Sequence, residues 1–183
     1  MTRNEALELL HEFTKTDSLR KHAYAVEAAM RAYADKYNED ETYWGNIGLI
    51  HDFDYEKYPD SHPTRGAEIL SERGIPEEMR EAILGHASFS GVPRKMLAAK
   101  VLYAVDELCG FITAVTLVRP NKSLRDVTVK SVKKKMKDKR FAAKVNRDEI
   151  RDGAEELGVD FDTHVEFVIN ALKKVAIDIG LNP

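Results

Sequence analysis

Histidine and aspartate side chains that can bind a metal ion recur along this chain beside apolar helical segments. His51 and Asp52 are adjacent and directly follow the apolar turn from Ile47 to Ile50. A charged aspartate at the end of such a run is costly to bury unless a cation pairs with it. Because adjacent side chains on a helix point about 100° apart, the two can share an ion only where the helix faces other elements. The pair therefore predicts a metal site that other segments complete.

Four further residues can supply the missing ligands. His22 and His86 fall on apolar faces of predicted helices, His62 stands before a proline, and Asp106 interrupts a long apolar run. Taken singly, His22 is better explained as a hydrogen-bonded core histidine, and His62 as a helix cap or loop residue. An unpaired carboxylate on the buried stripe of a helix would have a raised pKa, so Asp106 is the residue least easily explained without a metal.

The order of these residues resembles the HD-domain superfamily of metal-dependent phosphohydrolases, over roughly Leu19 to Ala114. The residues that carry the resemblance are His22, His51, Asp52, His62, His86 and Asp106. In that family the first histidine, the His-Asp pair and the final aspartate bind one ion. Members with two further histidines bind a second ion, and the aspartate of the pair bridges both. The resemblance therefore implies an HDIG-type, binuclear site.

Imidazole and carboxylate ligands suit divalent Mn, Fe, Co, Ni, Zn or Mg, and the ligand types do not distinguish among them. The single cysteine, Cys109, argues against a thiolate site. A metal-bound hydroxide can exist near neutral pH and attack a phosphomonoester or phosphodiester. The expected catalytic residues are Asp52 and Asp54, with Asp54 as a proton shuttle for which a surface role is an equal alternative.

Three residues near the His-Asp pair are predicted to contact the substrate. Tyr55 occupies the position where several binuclear relatives have a lysine, and its phenol can donate one hydrogen bond to a phosphate oxygen. Lys57 and Arg65 are nearby cations that could supply the missing charge or be solvated. The chain also resembles the cyclic-dinucleotide phosphodiesterase branch but has Val92 and Ala87 where that branch has a tyrosine and a second histidine.

Two other functions stay open beside hydrolysis of a small phosphorylated molecule. Some relatives with the same ligand set hold a di-iron centre that activates dioxygen. The ligand types do not distinguish such an oxygenase from a hydrolase. A regulatory or binding module could also keep the metal for stability alone. The basic segment 130–144 is interpreted as a solvated helix face, with a nucleic-acid or phosphate-binding patch as the alternative. The few charges around the ligands argue against a nucleic-acid polymer as substrate.

Length and composition predict one globular domain. The chain has 183 residues, 43% of them apolar and 32% charged, with a net charge of −3. This balance is typical of soluble proteins with one core, and disordered chains are more polar. The N-terminus lacks the apolar segment of a signal peptide, and the longest apolar run is too short to cross a bilayer. We therefore expect a cytoplasmic protein without a membrane segment, and the sequence leaves its oligomeric state open.

The elements that must position the ligands are all predicted to be helical. Apolar residues recur every three or four positions, and no segment shows the alternation of a strand. Helix starts are indicated at Thr2 and Asp40, and a long helix from Met96 to Val118. We expect an all-α bundle of the HD-domain type with about eight helices in one domain, 1–183. Its ligand-bearing core covers about 19–114, and helices from 120–183 pack on it.

Overall fold

The computed structural model describes all 183 residues and contains nine α-helices and no β-strand. The helices are α1 (Arg3–Phe13), α2 (Asp17–Tyr37), α3 (Glu41–Ile50), α4 (Thr64–Glu72), α5 (Glu77–Leu84), α6 (Leu97–Leu117), α7 (Val129–Met136), α8 (Arg147–Leu157) and α9 (Phe161–Lys174). Short 3₁₀ turns occupy Ser88–Ser90 and Leu124–Asp126. The all-α prediction is confirmed, with nine helices where about eight were expected.

Local side-chain caps fix where several of these helices begin. The Thr2 hydroxyl accepts the backbone N–H of Glu5, and the Glu5 carboxylate accepts the backbone N–H of Thr2, which forms a reciprocal capping box at α1. The Asp40 carboxylate accepts the N–H groups of Thr42 and Tyr43 at the start of α3. Such caps satisfy amides that the first helical turn leaves without partners.

One continuous cluster of buried apolar side chains lies at the centre of the bundle. It extends from Ala6 in α1 to Leu181 beyond α9 and includes the inner faces of α2, α3 and α6. The C-terminal helices therefore share their core with the helices that carry the predicted ligands. The domain boundaries stay a prediction, and one shared core is what a single domain would have.

Close helix packing brings the ligand-bearing elements together. A Cβ atom on Gly48 of α3 would lie 2.8 Å from the Met30 Cγ and 3.0 Å from the Val26 carbonyl oxygen of α2. A Cβ atom on Gly153 of α8 would lie 2.6 Å from the Ala104 Cα of α6. The distances of 2.8 and 2.6 Å are shorter than Cβ atoms show in practice, so these glycines let α2 approach α3 and α6 approach α8.

No helix combines the length and the apolar character that a membrane span requires.

The basic segment 130–144 includes most of α7, whose Val132 and Met136 are buried in the core. The lysines at 130, 133, 134 and 137 of this segment are exposed to solvent.

Candidate metal centre

The structure brings all six predicted ligands to one place in the bundle. Their side chains come from α2, the end of α3, the loop before α4, the turn after α5, and the middle of α6. The residues are His22, His51, Asp52, His62, His86 and Asp106. Nitrogen or oxygen atoms of His22, His51 and Asp52 lie within 4.8 Å of one another, and so do those of Asp52, His62 and His86. Asp52 belongs to both groups.

The two imidazoles of the first group face Asp52 of that group and also the neighbouring Asp106. The Nε2 of His22 lies 2.9 Å from the Asp106 Oδ1, and the Nε2 of His51 lies 3.3 Å from that same oxygen. The Oδ2 of Asp52 is 3.5 Å from the His51 Nε2. Ligand atoms about 2.0 to 2.2 Å from one ion are expected at roughly such separations. The group therefore has the spacing and the atom types of a divalent-metal site.

The second group is built around the other oxygen of Asp52. The Nε2 atoms of His62 and His86 each lie 3.2 Å from the Asp52 Oδ1. The His62 and His86 rings are 5.3 Å apart between centroids, and the His51 and His86 rings are 5.2 Å apart. One carboxylate thus presents one oxygen to each group of imidazoles.

Backbone and carboxylate acceptors orient three of the imidazoles toward this carboxylate. The Nδ1–H of His51 donates to the Gly48 carbonyl over 2.7 Å, and that of His86 donates to the Ile83 carbonyl. The Nδ1–H of His62 donates to the Asp54 Oδ1 over 2.8 Å. In each ring the Nε2 is left as the inward-facing atom, which is how metal-ligating histidines are commonly held.

The Nε2 of His51 is buried and has no hydrogen-bond partner. A buried polar atom without such a partner is costly, since folding removes its hydration and no hydrogen bond replaces it. A metal ion bound by this lone pair would remove the cost. The donor set and this atom together fit a divalent metal.

Charge in the cluster is arranged to hold cations. Burial by itself would lower the pKa of His62, but hydrogen bonds to Asp52 and Asp54 outweigh burial and raise the pKa to about 9. Burial opposes charge on Asp52 and Asp106 too, yet the histidines that face them hold the pKa of both carboxyls below its ordinary value. The cluster therefore favours positive charge between its carboxylates, carried by protons or by a divalent ion.

Asp54 is buried beneath His62 and both of its oxygens accept hydrogen bonds. Its Oδ1 accepts from His62, and its Oδ2 accepts the backbone N–H of Gly66 over 2.7 Å. A Cβ atom on residue 66 would lie 2.7 Å from the Asp54 Cγ, so only glycine leaves room for the carboxylate there. These contacts are those of a residue that orients a ligand. The proton-shuttle role predicted from the sequence stays a prediction.

The three predicted substrate residues lie in different surroundings. The Tyr55 ring is partly exposed and meets the His62 ring edge-on, with 5.4 Å between centroids. The Lys57 ammonium lies 4.7 Å from the centroid of the Phe13 ring. The Arg65 guanidinium donates to Glu68 over 2.8 Å. Of the three, Tyr55 is the one placed against a predicted ligand.

Glu107 is a site neighbour that sequence reasoning missed. It follows Asp106 in α6, and its carboxylate accepts the backbone N–H of Asn146 over 3.3 Å. Burial and the adjacent Asp106 charge raise the pKa of Glu107 to about 7. Its position beside a predicted ligand was the only indication in the sequence.

A family model for the HD domain matches residues 19–110 of the chain. The match covers half of the 183 residues and contains all six predicted ligands. No curated protein and no solved structure matches the chain.

Proposed function

The chain belongs to the HD-domain family, and we propose that it is a metal-dependent phosphohydrolase that acts on a small phosphomonoester or phosphodiester, such as a nucleotide. The observation that carries the proposal is the position of the Asp52 carboxylate. Its Oδ2 faces His51, and its Oδ1 lies 3.2 Å from both His62 and His86. A carboxylate shared by two groups of imidazoles is the arrangement expected of a bridging ligand in a two-metal hydrolase.

We assign His22, His51 and Asp106 to one ion and His62 and His86 to a second, with Asp52 shared between them. Divalent ions bound there would supply a water molecule activated near neutral pH and positive charge beside the phosphoryl group. The HDIG subtype is part of this proposal. The ligand types leave Mn, Fe, Co, Ni, Zn and Mg as candidates.

Residues that surround the second group would set the position of the reacting phosphate. The hydrogen bond from His62 to Asp54 fixes the plane of that imidazole, and the Gly66 N–H fixes the Asp54 carboxylate. We therefore propose Asp54 as a positioning residue. The Tyr55 hydroxyl would donate a hydrogen bond to a phosphate oxygen, because the Tyr55 ring is partly exposed and lies edge-on against the His62 ring.

A small substrate fits the charges around the centre. The Lys57 ammonium lies over the Phe13 ring, and Arg65 forms an ion pair with Glu68. Each of these cations would therefore have to leave its present contact to reach a phosphate. We keep both as candidate substrate residues. A nucleic-acid backbone would need a row of free cations beside the reacting atoms. The dense set of lysines in this chain is on α7, and α7 carries none of the predicted ligands.

Phosphate release from a panel of nucleotides and sugar phosphates tests the proposal. Activity should require an added divalent ion and should proceed without dioxygen. His51→Ala and Asp52→Ala should each abolish it, because each removes a ligand of the shared centre. Asp60→Ala is the matched control, since Asp60 is an exposed aspartate of the same loop.

Two results would contradict the proposal. A product that forms only with iron and dioxygen would favour the oxygenase. Metal binding that stabilises the fold, without turnover of any substrate in the panel, would favour a metal-stabilised module.

A further inference from the structure

Two adjoining grooves flank α7, outside the metal centre. The first, which we call the lysine groove, has a volume of about 570 Å³ and is lined by Val129, Lys130, Lys133, Lys134, Lys137 and Asp162. The second, the Phe161 groove, has a volume of about 370 Å³, and its apolar walls are Met136, Ala154 and Phe161. Lys133 and Lys137 line both grooves, so the two share one wall.

The lysines form a continuous row on one face of α7 and the residue that caps it, Lys137. Residues 130, 133, 134 and 137 are spaced by three or four positions, which places them one above another with about 5 to 6 Å between neighbouring Cβ atoms. From Lys130 to Lys137 the row extends about 10 Å along the helix axis. All four side chains are exposed, and only Lys133 makes an ion pair, with Asp162.

Stability of α7 does not explain this row. Cations near the C-terminus of a helix are favoured by its dipole, which accounts for Lys133 and Lys134 in the last turn. Lys130 is in the first turn, where the dipole opposes positive charge. Each lysine of the row also repels its neighbours three and four positions away. A bound anion would relieve both effects.

The surroundings limit the length of that anion. Asp138 follows the row, Asp162 lies within the lysine groove, and Glu155 lies in the Phe161 groove. A long phosphate polymer that continued past the row would meet Asp138 before the next cations, Lys139 and Arg140, and the chain as a whole carries a net charge of −3. A short run of phosphates can stay on the lysines.

We propose that the lysine groove and the Phe161 groove together bind a nucleoside polyphosphate. The phosphates would lie along Lys130, Lys134 and Lys137, and the nucleoside would enter the Phe161 groove beside the shared lysines. Volumes of this size are typical of small-molecule sites, which combine apolar walls with a few charged groups. None of the residues that line the grooves is a predicted metal ligand, so this site is separate from the metal centre.

Calorimetric titration of the purified protein with β,γ-methylene-ATP, inorganic triphosphate and a short single-stranded oligodeoxynucleotide tests the proposal. The ATP analogue should bind at the grooves more tightly than the other two probes. The double variant Lys134→Ala/Lys137→Ala should weaken its binding by about tenfold or more, since two charge-assisted contacts are lost.

The matched control is Lys95→Ala/Lys174→Ala, which removes two exposed lysines without ion pairs outside the grooves and lowers the net charge equally. The groove variant and this control both retain the metal centre, so any binding of the analogue at the metal centre is present in both. No binding of the analogue, or an equal loss in the control, would overturn the proposal. Triphosphate that binds as tightly as the analogue would overturn the nucleoside assignment, and tighter binding of the oligonucleotide would replace the ligand with a polymer.

Discussion

Asp54→Asn is expected to weaken one metal position and leave the other intact. In the structure both Asp54 oxygens accept hydrogen bonds, one from the His62 Nδ1–H over 2.8 Å and one from the Gly66 N–H over 2.7 Å. Asparagine keeps one acceptor oxygen and replaces the other with an NH₂ donor. One of the two N–H groups would then face a donor, so either the His62 ring or the loop at Gly66 must shift.

The magnitude follows from the two contacts. Loss of the partner that orients a metal-ligating histidine costs about 10- to 100-fold in metal affinity, or about 1.4 to 2.8 kcal/mol. The buried donor left without an acceptor should lower the free energy of unfolding by about 1 to 3 kcal/mol. Binding of the first ion should change little, because His22, His51 and Asp106 make no hydrogen bond to Asp54.

Calorimetric titration of chelator-treated protein with Mn²⁺ measures the two affinities separately. Wild-type protein should show two binding events, and Asp54→Asn should weaken one of them. Asp60→Asn is the control, because Asp60 is exposed in the same loop and makes no side-chain hydrogen bond. A variant with both affinities unchanged and a reduced turnover number would refute the positioning role and favour the proton shuttle predicted from the sequence.

Three further changes have distinct expected outcomes. Asp106→Ala should abolish binding of the first ion, as measured by elemental analysis. Asp106→Asn should keep the fold and lose phosphate release, since the amide lacks the charge that offsets the cation. Gly153→Ala should lower the free energy of unfolding in urea by about 1 to 3 kcal/mol, because the added Cβ would lie 2.6 Å from the Ala104 Cα. Burial lowers the pKa of His164 below its ordinary value of 6.5, so the unfolded chain binds its proton more readily, and stability should fall as pH drops below about 6.5. The loss of Tm between about pH 7 and about pH 5 should therefore be smaller in His164→Gln than in wild type.

Each of these expectations has a contrary result. Normal metal content and turnover in Asp106→Ala would make Asp106 a structural residue. Unchanged stability of Gly153→Ala would mean that α6 and α8 can separate without cost. An undiminished acid-induced loss of Tm in His164→Gln would place the responsible titration at another group.

Helices were predictable because their determinants are local. The capping pair Thr2 and Glu5, the cap at Asp40, and the apolar stripe of α6 act within a few residues of one another. The long helix expected from Met96 to Val118 is observed at Leu97–Leu117. The family assignment is confirmed as well, since the resemblance expected over Leu19 to Ala114 agrees with the matched region 19–110.

Contacts within the site depend on tertiary geometry that sequence order does not contain. The sequence singled out Asp54 for its position near the His-Asp pair, but its partners, His62 and Gly66, lie 8 and 12 residues further along the chain. Lys57 and Arg65 were chosen for the same nearness. Their long side chains instead contact the Phe13 ring of α1 and the Glu68 carboxylate of α4.

The most direct test of a two-metal phosphohydrolase is phosphate release measured without dioxygen while Mn²⁺ is added stepwise and the bound ions per chain are counted in the same samples. We predict that activity rises as the second ion binds and is complete at two ions per chain. His62→Ala and His86→Ala should stop near one ion and stay inactive. A wild-type protein that never binds more than one ion, or that forms product only when dioxygen is admitted, would contradict this assignment.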